Sequence, residues 1–498
     1  MEMKSRMQSI VRKVIENRFR IAMALNLSGL CLWVVLAETL VPSLISNAYE
    51  GLGPEPLNRF FAGRASKKPL DYYMGLWTDL EFAVVFAGVA HLVLIYLIQR
   101  SRLSNPIKFL MIIAGGLFLG LTVLFGPRQD YVAHIQIWNE IIRGNNPWWI
   151  QPESGIILNA YGPLFNLFAI PAAINPMLPK ICFALVYLLF CVWILDIYES
   201  EAGLRGWPQR LLIGWLFNPG IWLEIAFYGH FDVLMAVLIV AALHFHLSQK
   251  QIQAGALIGA GFLLKFLPAV AIPFLVVRGP LRRDLRVRTF LTAIFMIISG
   301  MAIACWIWGF STFRPLLFAS ERGSSLISVW RYLRGIHSPL KIFSSEPVDL
   351  DSWALPVMLV MLTIVFALNL VRWTEVSHMV FLSILTTLIF YRVGFLQYQM
   401  VLFLILPYWF AQNADQIKTD RILQFVLTTY LLWIIGFDLF DNAVGGIIGT
   451  GRPYAWVEEW AGLPTFLTGM SLWLVLLIRA SRFGLPSVPE NGSSFHSR

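Results

Sequence analysis

Charge is scarce in this chain: only 13% of its 498 residues are Asp, Glu, Lys or Arg, while 57% are hydrophobic. A soluble domain carries roughly 25% charged residues, so this composition excludes one and reads as a polytopic membrane protein. Cysteine is scarce too. Cys31, Cys182, Cys191 and Cys305 lie within apolar runs without paired spacing, which argues against a disulfide framework or a cysteine zinc site and leaves packing roles. A glycine-rich nucleotide loop, a heptad repeat, an internal repeat and a small-residue cleavage pattern after the first apolar run are all missing. That first run is therefore expected to be an uncleaved anchor. The tail 484–498, rich in Pro, Gly and Ser, reads as disordered and cytoplasmic.

Long apolar runs are abundant. They recur at roughly 21–41, 80–99, 107–126, 180–197, 210–227, 232–248, 253–278, 289–310, 353–371, 377–393, 399–411, 421–437 and 463–479. The expected fold is an all-α polytopic membrane helix bundle of roughly 13–14 membrane helices, with external re-entrant or interfacial helices. The run 253–278 is interrupted by Lys265 and Pro268 and reads as a hairpin of two half-length helices, an arrangement that usually lines a cavity.

The net charge of +9 follows membrane topology and does not call for nucleic acid. Basic residues gather before the first span, around Arg100 to Lys108, at Arg278 to Arg288, and at Arg479 and Arg482. By the positive-inside bias these segments are cytoplasmic. Counting the 253–278 hairpin as two crossings puts all of them on one side, with both termini inside. The segments carrying Asp130, Asp232, Arg331, Gln397 and Asp441 then share the opposite face.

Those segments hold the candidate chemistry. The stretch RQDYVAHIQIWNEIIRGNNPW puts Asp130 just beyond an apolar run, at the head of an amphipathic helix that Gly144 to Pro147 end. Arg128 beside it favours the ionised carboxylate, which can act as a base or simply cap the helix. His134, four residues on, falls on the same helical face and either orients the carboxylate, contacts a ligand or is solvated. Downstream come NAYGPLF with Tyr161, FNPGIWLEIAFYGHFD with His230 and Asp232, FLLKFLP with Lys265, and FYRVGFLQYQMVLFLILP with Gln397 and Tyr398. Asp232 caps a helix beginning at Phe231 or lines a cavity. Lys265 among apolar residues is costly unless it snorkels to the surface or meets an anion. Arg322 and Arg331 oppose the usual charge bias of their face, and each either clamps a phosphate bidentately or stays solvated at the surface.

In order and spacing these segments resemble the GT-C superfamily of integral-membrane glycosyltransferases, over roughly residues 107–411. The likeness is to polyprenyl-phosphate-mannose-dependent α-mannosyltransferases, including glycosyltransferase family eighty-seven and the GPI mannosyltransferases. It implies a general base at Asp130 and a cavity from Arg128, His134, Tyr161, His230, Asp232, Lys265, Arg322, Arg331, Gln397 and Tyr398. It also implies a polyprenyl-phosphate sugar donor, a lipid or glycan acceptor, and no metal or other cofactor. The membrane would be the plasma membrane of a bacterium or the endoplasmic reticulum of a eukaryote. On this reading residues 1–106 form a basic segment plus an additional hairpin, 107–411 the catalytic core and 412–483 further membrane helices. Trp148 stands where the family usually has Tyr, and the first two spans have no counterpart in its usual pattern. A transporter or lipid flippase is the rival class. It should show two similar halves and charges near the bilayer midplane, whereas here the polar motifs gather at one face.

Overall fold

The computed structural model describes residues 2–56, 58, 68–128, 130–148, 159–198, 207–277, 283–316, 328–330, 350–372, 375–392, 396–448 and 452–480. Every regular element among them is a helix, in keeping with the all-α expectation. Among the described residues six helices are long and apolar enough to cross a membrane: Phe19–Tyr49, Leu70–Arg100, Asn105–Phe125, Leu178–Ile197, Arg283–Leu316 and Ala354–Val371. Shorter apolar helices, among them Asp232–Leu247, Gln251–Leu264 and Val376–Phe390, make up much of the rest. Phe295, Ile298, Trp306 and Phe310 point outward, as apolar side chains do when lipid covers them. The protein is an integral membrane helix bundle.

The described residues fall into two compact units. The first comprises Met1–Gly144, Phe168–Glu201 and Trp222–Phe231; the second comprises Asn145–Leu167, Ala202–Ile221 and Asp232–Arg498.

In the first unit, small residues let helices approach where lipid offers no hydrophobic drive for association. A Cβ on Gly115 would lie 2.3 Å from Leu94, and one on Gly116 2.9 Å from the His91 ring. His91 joins the helices Glu2–Thr39, Leu70–Arg100 and Asn105–Phe125 in one polar node. Asn26 Nδ2 donates to its Nδ1 at 2.6 Å, so the proton sits on Nε2 and is given to the Ile112 carbonyl at 2.9 Å. The N-terminal hairpin is thus fastened by hydrogen bonds as well as by packing.

In the second unit the run 253–278 is broken as its sequence suggests. The helix Gln251–Leu264 stops at Lys265, Leu267–Ala271 is a 3₁₀ segment, and Ile272–Val277 is a short helix. Gly255 and Gly259, four residues apart, form the face of Gln251–Leu264 that meets Arg283–Trp308. A Cβ on Gly255 would stand 2.4 Å from the Thr289 carbonyl oxygen, and one on Gly259 3.0 Å from that of Ala293. Beside this seam Thr289 Oγ1 hydrogen-bonds Gln251 Oε1, whose amide in turn donates to the His246 carbonyl at 3.1 Å.

Gly255→Ala forces backbone against backbone and should destabilise the protein by about 1–3 kcal/mol, despite the helix propensity of alanine. Gly120→Ala, at a mid-helix position with open space around it, should be neutral or stabilising. Thermal unfolding in one detergent checks both; equal effects from the two would contradict the close-packed seam.

Candidate active site

The first unit builds a carboxylate–imidazole–carboxylate array. The helix Asn105–Phe125 ends at Gly126, whose φ of +61° turns the chain into the helix Asp130–Ile142, so Asp130 opens that helix with its side chain half exposed. His230 arrives by another route. After Pro219–Trp222 the chain widens into a π-helical turn, Leu223–Phe227, in which the Tyr228 N–H donates to the Leu223 carbonyl at 3.0 Å. Gly229, at φ +69°, then folds the chain back so that the His230 N–H reaches the Glu224 carbonyl at 2.9 Å. Such π-turns are rare and are frequent at functional sites. Here the turn aims a buried Glu224 carboxylate at His230 Nδ1, while His230 Nε2 lies 3.0 Å from Asp130 Oδ2.

Burial by itself would strip the proton from His230. Glu224 and Asp130 outweigh it and push the imidazole up to about 10, so the ring is an imidazolium at neutral pH. The Tyr228 ring stacks on it at 5.5 Å.

Lys180 supports the array from below. Its side chain is fully buried, and its amino group donates to the carbonyls of Gly126 at 2.7 Å and Phe227 at 3.1 Å, the ends of the two segments that lead to Asp130 and His230. Its backbone N–H donates to the Tyr131 hydroxyl at 3.1 Å, which donates to the Pro176 carbonyl at 2.6 Å. A Cβ on Gly229 would stand 2.5 Å from the Tyr131 ring. Only glycine permits both that approach and the positive φ.

The second unit holds a buried ion pair. Lys265, at the break after Gln251–Leu264, donates to Asp232 Oδ1 at 2.6 Å, and Asp232 opens the helix Asp232–Leu247. The ammonium lies 4.1 Å from the Tyr398 ring centroid and 5.5 Å from that of Tyr161. The YGP turn sits hard against this break. The Gly162 N–H donates to the Leu264 carbonyl at 3.1 Å, and a Cβ there would stand 2.1 Å from the Leu263 oxygen. Trp148 Nε1 donates to the Tyr161 carbonyl at 3.1 Å, and Arg314 to the Trp148 carbonyl at 3.0 Å.

Of the residues singled out in the sequence, Asp130 and His230 meet, and Tyr161, Asp232, Lys265 and Tyr398 meet. Lys265 does not snorkel; Asp232 neutralises it in place. Asp232 itself begins its helix one residue later than the expected start at Phe231. His134 is buried in an aromatic cluster with Tyr131, Trp138 and Phe231. Arg128 directs Nε to the Phe125 carbonyl at 3.2 Å and lies over the Phe227 ring. Gln399, two residues past Gln397, is buried and its side-chain oxygen accepts from the Tyr430 hydroxyl. Arg322, Arg331 and the side chain of Gln397 lie outside the described residues, as does the tail 484–498.

Glu224 and Lys180 were not singled out. Both carried the signal that drew attention to Lys265, a charge inside an apolar run with no solvent to pay for it. Among the described residues no group of three or more His, Cys, Asp or Glu side chains is arranged to hold a metal ion.

The raised pKa of His230 fixes the sign of a pH effect. Its stabilising contribution is complete below the ordinary histidine value of about 6.5 and is lost as pH rises through about 10. The difference in thermal unfolding between wild type and His230→Gln should therefore be largest near pH 6 and shrink steadily towards pH 10. A gap that stays constant over that range would contradict a charged His230.

Residues 159–407, half of the chain, match the model of glycosyltransferase family 87. No curated protein matches the chain. The matched stretch contains NAYGPLF, NPGIWLEIAFYGHFD, FLLKFLP and the Gln397–Tyr398 segment, and it begins after Asp130. The link from Asp130 to that stretch is its contact with His230, which lies inside it. By this match the chain belongs to glycosyltransferase family 87, and with its apolar spans it is an integral membrane glycosyltransferase.

Proposed function

We propose that the protein transfers a hexose, mannose by its resemblance to the polyprenyl-phosphate-mannose-dependent enzymes, from a polyprenyl-phosphate donor to a hydroxyl of a lipid or glycan acceptor. The reaction takes place at the noncytoplasmic membrane face and inverts the anomeric configuration. The observation that carries this reading is the half-exposed Asp130 carboxylate held by a buried imidazolium, in a chain of glycosyltransferase family 87.

The chemistry follows from the groups. Asp130 takes the proton of the acceptor hydroxyl as the acceptor oxygen attacks the anomeric carbon from the face opposite the phosphate. The bond between that carbon and the phosphate oxygen breaks, and the phosphate departs with the electron pair. With Oδ2 bound to His230, the carboxylate plane is fixed before the acceptor arrives, so little reorientation remains to be done in the transition state. By the family resemblance Lys265, beside Tyr161 and Tyr398, is a candidate group for the donor phosphate.

Asp130→Asn keeps size and polarity but removes basicity. Turnover of polyprenyl-phosphate mannose in the protein's own membranes, where the acceptor is present, should fall about 10²- to 10⁴-fold, with donor affinity retained. Near-normal turnover excludes Asp130 as the base.

Lys265 requires a paired test. Lys265→Met alone leaves the Asp232 charge buried and uncompensated, a loss of about 3–5 kcal/mol, so poor folding of that variant is expected and says nothing about the donor. Lys265→Met/Asp232→Leu removes both charges and should recover the fold while weakening use of the donor. A well-folded double variant with an unchanged donor KM would remove Lys265 from the phosphate site.

A further inference from the structure

Glu224 has no part in the bond-making steps, yet the fold goes to unusual lengths to bury it. Its side chain is 8% exposed, inside a π-helical turn whose residues are otherwise apolar. It holds His230 twice, through its carboxylate on Nδ1 and through its carbonyl on the His230 N–H at 2.9 Å. We infer that Glu224 is a positioning residue for glycosyl transfer, aiming the His230 ring at Asp130 and making the three-residue array negative enough to accept the acceptor's proton.

The first part is geometric. The two imidazole nitrogens lie on different edges of the ring, so a carboxylate on Nδ1 leaves Nε2 as the nitrogen that meets Asp130. Gly229 and the stacked Tyr228 restrict the ring further.

The second part is charge balance. Glu224 keeps the proton on His230, so Nε2 donates to Asp130 and the ring does not compete with that carboxylate for the acceptor's proton. With Glu224 ionised the array carries one net negative charge and becomes neutral when Asp130 accepts the acceptor's proton, while the ring proton stays on His230. The groups facing His230 are Glu224 from the π-turn, Asp130 from the helix Asp130–Ile142, and Tyr228, with the Lys180 amino group on the neighbouring Phe227 carbonyl and Arg128 over the Phe227 ring. Removing Glu224 takes away the foremost of the influences that keep this buried ring protonated.

This inference rests on Asp130 being the base, and the experiment separates the two. In full-length protein in nanodiscs, ¹⁵N-histidine NMR follows the titration of His230, assigned by its loss in His230→Gln. The ring should stay protonated past pH 9 in wild type and titrate at lower pH in Glu224→Gln. Turnover of a short-chain polyprenyl-phosphate mannose should fall about 10- to 100-fold in Glu224→Gln, by analogy with the carboxylates that orient metal-bound histidines, with donor KM unchanged. Glu224→Asp should recover part of the loss. Because Glu224 acts through His230, Glu224→Gln/His230→Gln should be no slower than His230→Gln alone.

An unshifted His230 titration in Glu224→Gln, or multiplying losses in the double variant, overturns the inference. If Glu224→Gln does not fold, the same cycle run with Glu224→Asp decides it by the same criteria. Normal turnover in Asp130→Asn together with a shifted His230 titration would instead sink the base assignment and leave the Glu224–His230 coupling intact.

Discussion

A helix that stops inside packed protein leaves carbonyl groups that no water can satisfy, and much of this structure is organised around meeting that demand. Lys180 serves the ends at Gly126 and Phe227. The Gly162 N–H serves Leu264, Asn146 serves Trp308 at 2.8 Å, and Trp330 Nε1 serves Phe390 at 2.6 Å. Each of these bonds joins residues far apart in sequence. Lys180 and Gly162 do so next to Asp130, His230 and Lys265, so at these breaks the groups that close the helix ends lie beside the candidate chemistry.

Charge is treated by the same rule. The buried charges of the two candidate clusters have partners: His230 lies between Glu224 and Asp130, and Lys265 is on Asp232 under two tyrosine rings. A single substitution at such a place leaves its partner exposed to a low dielectric, so loss of activity and loss of fold become hard to tell apart. Paired substitutions remove that ambiguity.

The two clusters differ in accessibility. Asp130 is half exposed although both of its companions in the array are buried, which is the pattern of a group that meets an external reactant while its supports stay dry. The Lys265–Asp232 pair is buried on both sides, and its aromatic neighbours provide a polarisable wall rather than a solvated one.

Composition and run length alone determined that the chain is a membrane helix bundle, because a bilayer admits long apolar segments in few forms. The motifs around Asp130, His230 and Lys265 were legible for a related reason: a polar residue is expensive at such positions and stands out against apolar neighbours. The partners were not. Asp130 and His230 are a hundred residues apart, and only tertiary packing brings them together. Glu224 and Lys180 were visible as charges in apolar runs, but their roles depend on a π-turn and on which helix ends fall beside them. His134 shows the converse, since helical spacing set it on the Asp130 side and packing buried it among rings. Local sequence decides what each segment must hide from lipid; which group it hides against is a long-range question, settled where helices end and their carbonyls find donors.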